Sequence, residues 1–172
     1  MLLDLFKDKK CFKLVCGAGN EDAIEVEKLV TLYSKAGCNF FDLCAKPEIV
    51  DAAKRGLERA GIKENRYLCV SVGIKGDPHV SKALIHPQNC VKCGACSNVC
   101  LQNAIIEGED SYKINTIRCI GCGRCTKVCP KNCVEMTSAF KNLREVLPPI
   151  IEKGIDCIEF HALGEYENEV DE

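Results

Sequence analysis

The sequence predicts an α/β protein whose parallel βα units, about half of a (β/α)8 barrel, are interrupted by a cysteine-rich insertion. Short apolar segments alternate with segments of helical periodicity on both sides of residues 85–136. Cysteine accounts for 15 of the 172 residues, and eight of the 15 fall in two short runs inside that insertion. We therefore expect one α/β domain formed by residues 1–84 and 137–172, and a second domain formed by residues 85–136.

The α/β part is expected to contain four strands, because four short apolar runs are each bounded by turn or helix signals. They span residues 12–16, 39–44, 67–72 and 156–161. Apolar strands that are joined by helices favour a parallel sheet with right-handed crossovers.

Helices are expected between these strands. The first spans residues 20–37, with Asn20 as its N-cap, and the second spans residues 47–61, between a proline and a glycine. Residues 138–153 have helical character that is broken by Pro148-Pro149.

Four βα units leave three architectures open: a truncated barrel, a half barrel completed by another chain, or a small open sheet. A half barrel exposes an apolar face and two strand edges, so the sequence predicts either a homo-oligomer or a missing C-terminal half.

The two cysteine runs share the spacing C-x2-C-x2-C-x3-C and superpose at an offset of 29 residues, which indicates an internal duplication. Three cysteines at this spacing fit three corners of an iron–sulfur cube, and the fourth ligates the other cube. We therefore predict two [4Fe–4S] clusters. The ligands of cluster I are expected to be Cys90, Cys93, Cys96 and Cys129. The ligands of cluster II are expected to be Cys119, Cys122, Cys125 and Cys100.

Zinc sites and disulfides are the alternative uses of these cysteines. Zinc modules usually separate two cysteine pairs by a longer loop than these runs allow. Disulfides suit exported proteins, whereas residues 1–10 place charges where a signal peptide needs an apolar core, so a cytoplasmic location is expected.

With these motifs, the segment from Ile85 to Met136 resembles a bacterial two-cluster ferredoxin domain. The resemblance implies two short hairpins and two short helices, with Ala104–Ile106 and Tyr112–Ile114 as strand pieces. Cys133 occupies the position that corresponds to Ala104 and is interpreted as a small buried filler, or as a replacement ligand when a cluster loses a corner.

Over most of its length the chain also resembles the N-terminal half of the cyanobacterial light-dependent period protein family. The resemblance rests on residues 12–18, 36–38, 41–42, 77–79 and 154–161 together with the cysteine runs. It implies an iron–sulfur protein that senses the cellular redox state and passes this information to the circadian clock.

Asp42, Glu159 and His161 lie late in expected parallel strands, as does Ser71, and ligands of such sheets bind at the carboxyl ends of the strands. They are the candidates for catalytic residues in a small-molecule pocket. The alternative is that the acids pair with lysines, while Cys16 and Cys44, which end strands, are core residues.

Other features are expected to be solvated: the basic residues Lys9, Lys10 and Lys13, the loop histidine His79, and the acidic tail at residues 165–172. Gly17-Ala18-Gly19 fails as a dinucleotide-binding fingerprint because Asp22 stands where the third glycine belongs.

Composition narrows the functions further. A net charge of −2 argues against a nucleic-acid partner, and no apolar run reaches the ~18 residues of a membrane span. Three functions remain: a one-electron carrier or redox sensor with a redox partner protein, an electron-delivering part of a reductase, and an interaction module with structural clusters.

Overall fold

The computed structural model describes residues 1–17, 19–62, 64–73, 81–138 and 142–161. Ala18, the loop with Asp77, Pro78 and His79, and the acidic tail lie outside the described residues, so the predictions made for them stay predictions. The described elements follow one another along the chain. They are α1 (Leu2–Lys7), β1 (Lys13–Val15), α2 (Ala23–Lys35), β2 (Phe40–Cys44), α3 (Pro47–Ala60), β3 (Tyr67–Gly73), β4 (Ser81–Ile85), α4 (Ala95–Asn98), β5 (Ile105–Glu107), β6 (Tyr112–Ile114), α5 (Arg124–Val128), β7 (Val134–Ser138), α6 (Leu143–Ile151) and β8 (Cys157–His161).

The α/β part is built on a four-stranded parallel sheet in the order β1-β2-β3-β8. Consecutive strands of the α/β part are therefore neighbours, which confirms the predicted α/β class and the parallel sheet. The register places Phe41 beside Leu68 and Val70 beside Ile158, and these side chains contribute to the main core. Closure of these units into half of a barrel stays a prediction.

Helices α2 and α3 pack closely because Gly56 has no side chain. A Cβ atom at Gly56 would lie 2.9 Å from Cβ of Val30 and 2.8 Å from the carbonyl oxygen of Glu27. These distances are shorter than real Cβ contacts, so Gly56 determines how near the two helices come. Val26 and Val30 are fully buried on the α2 side of this contact.

The start of α2 differs from the expectation, because Asp22 rather than Asn20 is the N-cap. The Asp22 carboxylate accepts hydrogen bonds from the N–H groups of Ile24 (3.1 Å) and Glu25 (3.0 Å). The Asn20 side chain instead accepts the N–H of Asp22 at 3.0 Å and so prepares the turn before the helix.

The prediction of a broken helix from residue 138 is wrong. Ser138 ends strand β7, and α6 begins after Asn142, whose side chain accepts the N–H of Arg144 at 3.0 Å. The helix continues through Pro148 and Pro149 although proline cannot donate a backbone hydrogen bond. Burial outweighs that loss, since Ile150 is completely buried in the main core.

Helix α1 was not expected from the sequence, because its six residues are too few for a helical period to be recognised. It packs through Phe6, whose ring meets the ring of Phe40 edge-on at a centroid distance of 5.9 Å. Among the described residues, no helix has the length and apolar character that a membrane crossing requires.

The cysteine-rich part contains two antiparallel strand pairs, β4–β7 and β5–β6, with the short helices α4 and α5. The 29-residue repeat relates them, because it carries β4 onto β6, β5 onto β7 and α4 onto α5. The β4–β7 pair begins at Ser81 and ends at Ser138, and therefore extends past both ends of the segment 85–136. The division into two domains stays a prediction.

Candidate iron–sulfur site

The short helices of the repeat begin at glycines that adopt a left-handed conformation. Gly94 has φ 76° before α4, and Gly123 has φ 67° before α5. Side chains rarely adopt this conformation, so glycine lets the loop turn sharply between its second and third cysteines. The turn buries the third cysteine of each run, Cys96 and Cys125.

The fourth cysteine of each run accepts a backbone hydrogen bond from four residues further along the chain. Asn103 and Asn132 both have φ 48°, and each of them precedes the donating residue. The N–H of Ala104 lies 3.3 Å from Sγ of Cys100, and the N–H of Cys133 lies 3.3 Å from Sγ of Cys129.

The first cysteine of each run accepts a hydrogen bond from the other half of the repeat. The N–H of Ala83 lies 3.5 Å from Sγ of Cys119, and the N–H of Tyr112 points at the sulfur of Cys90. Ala83 and Tyr112 are 29 residues apart, as are the two cysteines. Tertiary contact therefore repeats the symmetry of the sequence and ties each half to the cysteine run of the other.

Two cavities divide the eight cysteines into two sets of four. One cavity is lined by Cys100, Cys119, Cys122 and Cys125. The other is lined by Cys90, Cys93, Cys96 and Cys129. In each set the fourth cysteine comes from the opposite run, which is the grouping that the crossover predicts. Iron ligation by these residues stays a prediction.

Backbone N–H groups favour the thiolate form at two of these positions. Hydrogen bonds from Tyr112 and Lys92 lower the pKa of Cys90. Burial opposes ionisation of Cys129, yet hydrogen bonds from the backbone and thiol of Cys133 hold its pKa below the usual value. Thiolates are the form that binds soft metals, so both residues are prepared for ligation.

The buried cysteines of the loops behave differently, because burial raises the pKa values of Cys96 and Cys125. A positively charged metal offsets this cost, since metal binding displaces the thiol proton. The donor set of each cavity thus fits an iron–sulfur cluster: four sulfur ligands, with N–H groups directed at two of them.

Cys133 adds a fifth sulfur to the cavity of cluster I. Its Sγ lies 3.4 Å from Sγ of Cys129, and 4% of the residue is exposed. Burial, and then the hydrogen bond with Cys129, raise the pKa of Cys133 to about 12, so its thiol keeps its proton. This placement agrees with the interpretation of Cys133 as a small buried filler. Cys133 also lies near enough to the cavity to replace a lost ligand of cluster I.

Residues 83–136 match the family model described as the 4Fe-4S dicluster domain. This part of the chain is similar to 4Fe–4S dicluster domains. Light dependent period A of Synechococcus elongatus is 31% identical over 156 residues, which cover 88% of this chain and 43% of the relative. The chain thus spans less than half the length of that curated relative. The similarity also extends well beyond the dicluster domain, because it includes most of the α/β part.

The catalytic candidates lie together on the sheet face away from the main core, around Lys13. Its ammonium group lies 3.0 Å from Oδ2 of Asp42 and also pairs with Glu159. The hydroxyl of Ser71 donates to Asp42, and Nε2 of His161 lies 3.4 Å from Oε1 of Glu159. We call these five residues the sheet-face site.

Lys13 was expected to be a solvated residue, and this expectation is wrong: its ammonium group joins the carboxylates of two strands. The hydrogen bond from Lys13 lowers the pKa of Glu159. Burial alone would lower the pKa of Lys13, but its bonds to Glu159 and Asp42 raise it. Asp42 and Glu159 thus pair with a lysine, which is the alternative to a catalytic role that the sequence left open for them.

The strand-end cysteines also follow the structural alternative. Cys16 and Cys44 are buried in the main core, and burial raises the pKa of Cys16 to about 12. Cys69 lies nearer the sheet-face site, where one ligand atom each of Asp42, Cys69 and Glu159 are within 4.8 Å of one another. Lys13 already supplies a positive charge between the two carboxylates.

Sequence reasoning missed Lys13, which joins Asp42 to Glu159, and Lys82, whose ammonium group donates to the carbonyl oxygen of Cys119 at 2.6 Å. Both are single lysines in short strands, and their partners are distant in the chain. Both lysines could be found only from the register between paired strands, which cannot be read from a single sequence.

Proposed function

We propose that this chain is an iron–sulfur protein that holds two [4Fe–4S] clusters and transfers or senses single electrons. The observation that carries the proposal is the division of eight cysteines between two cavities, each with a ligand from the opposite run. Cluster I is bound by Cys90, Cys93, Cys96 and Cys129. Cluster II is bound by Cys119, Cys122, Cys125 and Cys100.

A [4Fe–4S] cluster held by four thiolates gains and loses one electron at a time. The residues of this chain hold the thiolates in place and adjust the charge around them. Hydrogen bonds from the N–H groups of Ala83, Ala104, Tyr112 and Cys133 withdraw charge from the sulfurs, which favours the reduced state. The short loops leave Cys93 and Cys122 exposed, so a redox partner protein has access to both cluster loops.

Redox sensing is proposed by similarity, because the relative is named for a light-dependent period and shares the α/β part as well as the dicluster domain. A sensor and a carrier differ in the potentials of their clusters. Low potentials for both clusters suit a carrier that feeds a demanding reduction. A potential near the redox poise of a reducing compartment such as the cytoplasm suits a sensor.

The cluster count is tested by iron and sulfide analysis of anaerobically purified protein, followed by a redox titration monitored by electron paramagnetic resonance (EPR). Two magnetically coupled [4Fe–4S] signals support the proposal. A single signal, or bound zinc in place of iron, contradicts it.

The ligand crossover is tested by the variants Cys100→Ser and Cys129→Ser. Loss of Cys100 is expected to damage cluster II, whose other ligands lie in the second run, and loss of Cys129 to damage cluster I. Cys11→Ser is the matched control, because Cys11 lines neither cavity. Damage confined to the run that carries the substitution would show that the crossover is wrong.

A second candidate function is an electron-delivering part of a reductase, and the sheet-face site favours it. Lys13, Asp42, Glu159 and His161 bring proton donors and acceptors together on a sheet face. An organic acceptor that oxidises the dithionite-reduced clusters in wild type, but not in Asp42→Ala, would support the reductase. Clusters whose loss leaves partner binding unchanged would instead support an interaction module.

The quaternary arrangement belongs to the same proposal. The α/β part forms half of a barrel that either a second copy or further chain of a longer protein completes. Light scattering during size-exclusion chromatography measures the mass of the particle. A strict monomer would argue against completion by a second copy.

A further inference from the structure

A lysine stands at only one of two equivalent positions beside the cysteine loops. Lys82 precedes Ala83, whose N–H is directed at Cys119. The residue equivalent to Lys82 in the other half of the repeat is Ser111, which precedes Tyr112 and is buried and uncharged. The two halves of the repeat can therefore be compared directly, since the same backbone arrangement has a positive charge at Lys82 and none at Ser111.

The ammonium group of Lys82 is held by three acceptors. It donates to the carbonyl oxygens of Cys119 at 2.6 Å and of Gly19 at 2.9 Å, and it lies 3.6 Å from Oε1 of Glu21. Only 18% of the Lys82 side chain is exposed. Its charge therefore stays next to a proposed ligand of cluster II instead of moving freely in solvent.

Glu21 extends this contact into the α/β part. Its Oε2 accepts a hydrogen bond from Lys46 at 2.6 Å, and its N–H donates to the carbonyl of Ile117 at 3.3 Å. Ile117 is two residues before Cys119, and Glu21 lies between β1 and α2, where the sheet presents the carboxyl ends of its strands. The loop of cluster II thus contacts the sheet edge through both a side chain and the backbone.

We propose that Lys82 raises the reduction potential of cluster II and couples this cluster to the segment that contains Gly19 and Glu21. The inference rests on the proposed function, because it takes cluster II to be bound beside Cys119. Reduction adds a negative charge to the cluster, so a nearby ammonium group favours the reduced state. Partial burial weakens screening by water and salt.

Glu21 acts in the opposite direction, because its carboxylate offsets part of the charge of Lys82. Coupling between two sites is reciprocal. A ligand or partner that draws Glu21 away from Lys82 would therefore raise the potential of cluster II, and reduction of the cluster would in turn favour the release of Glu21 from Lys82.

The test is an EPR-monitored redox titration of the loaded full chain, in wild type, Lys82→Met and Glu21→Gln. For Lys82→Met we expect the ratio of reduced to oxidised cluster II at a fixed potential to fall about tenfold. That is a shift of about 59 mV to lower potential for a one-electron couple. For Glu21→Gln we expect a shift to higher potential, and for both variants an unmoved cluster I.

Matched variants separate charge from structure. Lys82→Arg keeps the charge and should keep the wild-type potential, whereas Lys35→Met removes an exposed charge at the end of α2 and should change neither cluster. Should Lys82→Met fail to load cluster II, the upward shift in Glu21→Gln alone decides the question. Unmoved potentials, equal shifts of both clusters, or shifts of the same sign in the two variants would overturn the inference. A wild-type chain without a second cluster would instead overturn the proposed function.

Discussion

Replacing Lys13 by methionine tests whether the sheet-face site is held by its ion pairs. Methionine retains most of the apolar stem and removes the charge that joins Asp42 to Glu159. The Asp42 side chain is 4% exposed, so its carboxylate would lose its cation in a buried position. Among the described side chains, Ser71 would remain as its hydrogen-bond partner.

The expected cost follows from this burial. Removing one partner of a buried ion pair costs about 3–5 kcal/mol, whereas an exposed pair such as that with Glu159 contributes about 0–1 kcal/mol. Lys13 is one-third exposed, which reduces the first figure because water screens the pair. We expect the free energy of unfolding to fall by about 2–4 kcal/mol at pH 7.

The assay is urea unfolding followed by far-ultraviolet circular dichroism, with the visible absorbance of the clusters recorded separately. Lys10→Met is the control, because the pair between Lys10 and Asp8 is exposed at both ends and its loss should cost under about 0.5 kcal/mol. The double variant Lys13→Met/Asp42→Asn should recover at least about 1 kcal/mol relative to Lys13→Met, because no buried charge is left unpaired.

A loss of less than about 0.5 kcal/mol in Lys13→Met would refute the reasoning. So would a double variant that is less stable than wild type by the sum of the two single-variant losses, since independent residues show no coupling energy.

Four further predictions concern Gly56, Ile150, Glu159 and Cys133. Gly56→Ala should lower the free energy of unfolding by about 0.5–2 kcal/mol, because overpacking between α2 and α3 exceeds the gain in helix propensity. Urea unfolding measures this loss, with the substitution of an exposed residue of the same helix, Glu58→Ala, as the control. Ile150→Ala should lower the free energy of unfolding by about 2–5 kcal/mol and leave the visible spectrum of the clusters unchanged. A smaller loss would mean that α6 is not packed in the core. Glu159 has a lowered pKa, so its stabilisation is complete above the unfolded value of about 4.3 and is lost as pH falls through the folded value. The stability difference between wild type and Glu159→Gln should therefore disappear in acid, and a constant difference would contradict it. Cys133→Ala should retain both clusters by iron analysis, and loss of cluster I would make Cys133 a ligand.

Local patterns made much of the α/β part predictable. The strand that ends at Cys44 and the helix between Pro47 and Gly61 were expected from apolar runs, proline and glycine, and both are present at nearly those positions. These signals depend on neighbours in the chain. The segment near Pro148 was misjudged because the burial of Ile150, which keeps the helix intact, depends on contacts with distant residues.

The cysteine sites show the same division. The offset between Cys90 and Cys119 revealed the repeat, since duplication leaves its record in the order of residues. The hydrogen bonds from Ala83 and Tyr112 to those sulfurs join opposite halves of the repeat. The spacing of the cysteines within one run does not predict them.

The sequence by itself determined the class of cofactor, the duplication and the alternation of strands and helices, because spacing and periodicity are properties of neighbouring residues. The tertiary structure alone decided that Lys13 joins Asp42 to Glu159, and that Lys82 lies between Cys119 and Glu21. Both lysines meet partners that are tens of residues away. Their positions follow from strand register and from the packing of one part on the other, which arise only when the whole chain has folded.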